Sequence, residues 1–159
     1  MQLDPDNEYS PTKLMLFKFL HVYGKISDLP WQSPNHLNYG PVGEIKIDDY
    51  SQNIRIIYDK RIDEEEIKII RDEIHSAKRI YFLGFGFALE NLKILDFPNV
   101  LMPGQKVYGT AYNAKEEEIE EIKNRFVQNN EFNKALHDRE SELIIKNTNC
   151  LDLLRERLH

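Results

Sequence analysis

Apolar positions along the chain fall into two kinds of pattern. Short, mostly apolar runs occur at Leu14–Tyr23, Ile54–Tyr58 and Arg79–Leu83. Lys106–Gly109 and Leu143–Ile145 are shorter versions of the same pattern. Runs of this length, rich in aromatic and β-branched residues, predict strands, and runs apolar on both faces predict strands covered by helices on both sides. Between them lie stretches with the period of a helix. Asp63 opens one through Glu64, Glu65 and Glu66, acids placed where the N-terminal dipole favours them, and Ile67, Ile70 and Ile74 share one face. Ala88–Leu95 reads as a second helix and Glu116–Val127 as a third, with Ile119, Ile122, Phe126 and Val127 inward. Cys150–Leu158 reads as a terminal helix with Asn149 as its N-cap. Asn130–His137 has helical character close to the Leu143–Ile145 run, which leaves that zone open between helix and strand.

Strand, amphipathic helix and strand in alternation make a parallel crossover. The expected fold is therefore a three-layer, Rossmann-like α/β domain with a mostly parallel sheet of four to five strands. It is preceded by an extended arm over residues 1–13 and spans 14–159. Lys25–Gly43, with Pro30, Pro34, Pro41, Gly40 and Gly43, excludes regular structure. Ile45–Gln52 reads as a short helix.

Composition narrows the class without naming a function. Hydrophobic residues make up 41% of the 159 and charged residues 30%, the balance of a folded domain. No apolar run approaches a bilayer span, and the acidic start at Asp4, Asp6 and Glu8 is unlike a secretory signal, so the expected location is cytoplasmic. The net charge of −6, with basic residues scattered among acids, argues against nucleic acid as the partner. A single cysteine, Cys150, excludes an internal disulfide, and no histidine spacing points to a metal. Glu64–Glu66 and Glu116–Glu118 read as solvated caps.

The stretch around which the chain is organised is Arg79-Ile80-Tyr81-Phe82-Leu83-Gly84-Phe85-Gly86-Phe87. It reads as a central strand running into a glycine turn and then a helix. Glycines at the carboxyl end of a parallel strand permit a sharp turn and close approach of a ligand. Gly84, Phe85 and Gly86 are accordingly candidate ligand contacts. Asn91, in the helix beyond, either reaches a ribose hydroxyl or pairs with the turn's backbone. Gly109 and Thr110, ending the next strand, either meet a ribose or form a plain strand-end turn. His21, at the end of the first run, is either a general base or a core-edge histidine hydrogen-bonded to the backbone. Trp31 and Tyr39 are either lid residues that stack on a ring or core fillers.

Three segments carry a family likeness. Phe19-Leu20-His21-Val22-Tyr23-Gly24-Lys25-Ile26 resembles the strand–histidine–glycine segment of sirtuin-like NAD-binding domains. Ala77–Phe87, with Asn91 beyond it, is similar to the second glycine turn of bacterial sirtuin-like proteins, and Cys150–Leu158 resembles their closing helix. The resemblance implies a domain handling NAD, related to enzymes that cleave the nicotinamide–ribose bond as deacylases or as NAD-consuming defence proteins. It makes His21 the counterpart of the family's catalytic base and Gly84 and Gly86 the counterpart of the turn meeting the cofactor. The chain departs from the pattern in having Val22 and Tyr23 between histidine and glycine, Phe85 and Phe87 in the second turn, and no four-cysteine zinc module.

The resemblance covers the C-terminal half of that fold, without the first glycine loop that cradles the pyrophosphate. A few hydrogen bonds of about 1 kcal/mol net each fall short of the roughly 8 kcal/mol of micromolar binding. The expectation is a domain that binds NAD poorly and turns over little when alone. The other reading is a non-catalytic α/β interaction module, completed by a partner chain or a second copy through an exposed sheet edge.

Overall fold

The structure is a computed structural model that describes Lys18, Leu20, Val22 and residues 64–158. The chain forms two compact units, Met1–Glu66 and Ile67–His159. All three described strands belong to the second unit. The helices and strands are α1 (Glu64–Ser76), β1 (Arg79–Phe82), α2 (Leu89–Ile94), β2 (Lys106–Thr110), α3 (Glu116–Phe126), α4 (Asn130–His137), β3 (Glu142–Lys146) and α5 (Cys150–Arg157).

The strands lie in the order β1-β2-β3 and every pairing is parallel, with Tyr81 beside Tyr108 and Tyr108 beside Ile144. The α/β class and the parallel sheet expected from the sequence are present. Three strands are described rather than four or five. Ile54–Tyr58, Ile45–Gln52 and the arm at 1–13 lie outside the described residues. Of Leu14–Tyr23 only Lys18, Leu20 and Val22 are described, none of them in a strand. The open zone after α3 holds both alternatives in succession, helix α4 and then strand β3.

Because side chains alternate across a strand, the sheet has two distinct faces. One carries a phenylalanine cluster. Phe82 packs against Phe85, Phe87, Phe97 and Phe126, with ring centroids 5.0 to 5.7 Å apart, joining β1, the glycine turn, the loop after α2, and α3. Rings at these distances and tilts gain their quadrupole attraction on top of area burial. Val107 and Ile145 are buried with them. The opposite face carries tyrosines. The rings of Tyr81 and Tyr108 lie 5.1 Å apart. The Tyr81 hydroxyl donates to the Arg157 carbonyl of α5 at 3.1 Å, and the Arg157 guanidinium sits over the Tyr108 ring.

Polar side chains close the helix ends. Gln105 is buried, and its amide nitrogen reaches the carbonyls of Ile74, His75 and Ala77 at 2.8–3.1 Å, so it serves the otherwise orphaned end of α1. Arg71 of α1 donates twice to the Ile94 carbonyl at the end of α2, where a cation also complements the helix dipole. Asn129 caps α4 by accepting from the Phe132 amide, and Asn149 caps α5 by accepting from the Asp152 amide. The Asn149 cap is the one expected from the sequence.

Candidate functional site

Three consecutive strands, all parallel, deliver their carboxyl ends to one edge of the sheet, and the turns that leave them define a cleft of about 490 Å3. Gly84 and Gly86 come from the turn after β1. Thr110, Ala111, Tyr112 and Ala114 come from the end of β2 and the loop beyond it. Thr148, Asn149 and Cys150 follow β3, and Phe87, Glu118 and Ile122 complete the lining. A volume of this size lies within the roughly 300–1,000 Å3 of small-molecule sites, and the edge is where parallel α/β sheets take ligands.

Each turn is fixed by side chains of its neighbours. The Gly84 amide donates to the Thr110 hydroxyl oxygen at 3.0 Å, and that hydroxyl points back towards the Phe82 carbonyl at 3.4 Å. Thr110 is 4% exposed, so this link is shielded from water. Asn147 plays the same part between β2 and β3. Its side-chain oxygen accepts from the Asn113 amide and its nitrogen donates to the Ala114 carbonyl, each at 3.0 Å. Arg125 of α3 donates to the Phe87 carbonyl at 2.9 Å, holding the far side of the glycine turn.

Gly84 and Gly86 have φ of +64° and +72°, in the left-handed region where a Cβ is strained. No atom lies within 4 Å of where a Cβ would stand at either. The backbone is therefore bare on its open side and a ligand can approach it. Phe87, with φ +53°, holds the same left-handed conformation without being glycine, and its side chain is buried in the aromatic cluster. Strain at Phe87 is thus offset by packing.

The cleft brings together Gly84, Gly86 and Thr110 of the residues singled out from the sequence. Phe85 adjoins it but is half-buried against Phe82 and Phe87. Asn91 is half-buried in α2 and is not part of the lining. Gly109 is inside β2 and faces the core. A Cβ there would stand 2.7 Å from Ile145 Cδ1 and 2.8 Å from Phe87 Cζ, so its bareness admits neighbouring side chains. His21, Trp31 and Tyr39 lie outside the described residues. Tyr112, Glu118 and the Thr148–Cys150 segment are cleft residues that sequence reasoning did not assign to a site. Only the Thr148–Cys150 segment carried a signal, since it follows closely on the Leu143–Ile145 run. Cys150 is half-buried at the start of α5 with its sulfur 3.9 Å from the Thr110 hydroxyl.

The charge in the cleft is sparse. Glu118 is, among the described residues, the one carboxylate in the lining, and no lysine, arginine or histidine contributes to it. Among the described residues, no group of histidine, cysteine, aspartate and glutamate is placed to hold a metal, and no helix is long and apolar enough to cross a membrane. The strongest electrostatic perturbation among the described residues is elsewhere, on the tyrosine face. Burial, aided by the 2.7 Å hydrogen bond to Glu142, pushes the Tyr108 hydroxyl up to about 12. In comparison with known proteins, no family model matches the chain and neither a curated protein nor a solved structure is significantly similar to it.

Proposed function

We propose that the cleft at the carboxyl edge of the sheet is a nucleotide site that receives NAD or its ADP-ribose portion, in a domain of sirtuin-like type. The observation that carries this reading is the convergence of the turns after β1, β2 and β3 on one cleft of about 490 Å3. Gly84 and Gly86 suit such a ligand because their backbone is open where a side chain would otherwise stand. Gly86 would meet the ribose–phosphate side of the cofactor through its main-chain N–H, and Gly84, whose own N–H is engaged by Thr110, would let the ligand come close. Thr110 would hold the turn in that shape from beneath. Helix α5 begins beside the cleft, and its N-terminal dipole favours a diphosphate over a neutral group. When bound, NAD supplies a cleavable nicotinamide–ribose bond. The chain's own part in this reading is to bind and orient.

Calorimetric titration with NAD and ADP-ribose tests it. Saturable heat at one ligand per chain, with a Kd weaker than about 1 µM given hydrogen bonds of about 1 kcal/mol each, is the expected result. No heat from either ligand at millimolar concentration counts against the nucleotide reading.

A further inference from the structure

We infer that Glu118 is the specificity-determining residue of this cleft, accepting hydrogen bonds from a free ribose diol and rejecting a nucleotide that carries a phosphate on that sugar. The inference rests on the nucleotide reading above and names which nucleotides the site takes. Glu118 sits in the first turn of α3 and lines the cavity shared with Gly84, Gly86 and Thr110. One carboxylate oxygen, Oε2, accepts from the Lys115 amide at 2.7 Å, which fixes the side chain at the helix start. The other oxygen makes no hydrogen bond among the described residues. A positioned carboxylate with an unused acceptor oxygen is what two vicinal hydroxyls require, and it is the group that marks unphosphorylated ribose in dinucleotide folds. Here it lies 34 residues beyond Gly84 and comes from a different helix, so the position is not the usual one on the strand after the first glycine turn.

The rest of the lining strengthens the assignment. A 2′-phosphate is ordinarily accommodated by an arginine or lysine, and among the described residues the cleft offers neither. Glu118 is exposed, so a phosphate beside it would meet like charge that solvent and salt moderate, and the discrimination should be strongest at low ionic strength. The hydroxyls of an unphosphorylated ribose would instead donate to it.

The test is a parallel calorimetric titration of the full chain with NAD and NADP, repeated on Glu118→Gln. The carboxamide oxygen of glutamine still accepts from the Lys115 amide, so the variant keeps its helix start, and an unchanged thermal midpoint verifies this. Wild-type chain is expected to bind NAD at least tenfold more tightly than NADP. In Glu118→Gln the gap should narrow at least threefold, chiefly through better NADP binding. Equal affinities in the wild type, or a gap that the substitution leaves untouched, overturn the role of Glu118 while leaving nucleotide binding in place. Binding of neither ligand at millimolar concentration overturns the nucleotide reading and this inference with it.

Discussion

The amide of Gly84 and the hydroxyl of Thr110 are joined by a hydrogen bond of 3.0 Å that fixes the turn after β1 to the last residue of β2. The two residues meet because Phe82 pairs with Gly109, which brings Thr110, one residue on, and Gly84, two residues on, to the same edge. Replacing Thr110 by valine keeps the shape and removes the acceptor. The expected cost is about 1–2 kcal/mol of unfolding free energy, since the Gly84 amide loses its protein partner. Urea denaturation measures it. Thr110→Ser, which keeps the hydroxyl, should recover most of the loss.

Gly109 gives a prediction of opposite character. Its substitution by alanine adds one methyl group 2.7 Å from Ile145 Cδ1 and 2.8 Å from Phe87 Cζ. The isoleucine tip can move, but the Phe87 ring is 2% exposed and hemmed in by Phe82, Phe85 and Phe126. Overpacking of this kind costs about 1–3 kcal/mol. The urea midpoint of Gly109→Ala should fall accordingly, and the cleft should lose affinity because the displaced ring carries the glycine turn.

These two positions show what the sequence disclosed and what it withheld. Gly84, Gly86 and Gly109 look alike in one dimension, each a glycine near the end of a β-prone run. Only the positive φ of the first two, against the core-facing contacts of the third, separates a ligand-facing turn from a packing requirement. The helix α1, the Asn149 cap and the acid-rich start of α3 were legible because they rest on periodicity and local chemistry. Glu118 and Tyr112 were not, because membership of the cleft depends on how the loop after β2 folds back. That path is set by Asn147, 33 and 34 residues away from its partners Ala114 and Asn113. Long-range polar clamps of this kind leave no periodic trace.

Gln105 is the equivalent clamp at the opposite end of the sheet. Its two amide hydrogens serve three carbonyls at the end of α1, and its oxygen accepts from the Met102 amide at 2.9 Å. Gln105→Leu should destabilise by about 2–4 kcal/mol, more than a typical surface change, because it strands several partly buried backbone groups at once. Loss of hydrogen-exchange protection should begin at Ile74–Ala77.

The tyrosine face yields a dependence on alkaline pH. The Tyr108 hydroxyl is raised from 10.0 to about 12, first by burial and then by donation to the Glu142 carboxylate. A pKa raised on folding contributes stability that is complete below the unfolded value near 10 and is lost as pH climbs through the folded value near 12. Stability measured by urea at fixed pH should thus decline between about pH 10 and 12. In Tyr108→Phe that part of the decline should be absent, and ultraviolet titration should lack the tyrosine that ionises near pH 12.

The most direct measurement of the central claim is amide chemical-shift mapping of the chain during titration with NAD. Ligand in the cleft should shift the amides of Gly84, Gly86, Ala111 and Cys150 together, with one saturation curve, and leave Tyr81, Tyr108 and Arg157 in place. Shifts confined to that tyrosine face, or no shifts at millimolar NAD, would contradict a nucleotide site at the carboxyl edge of the sheet.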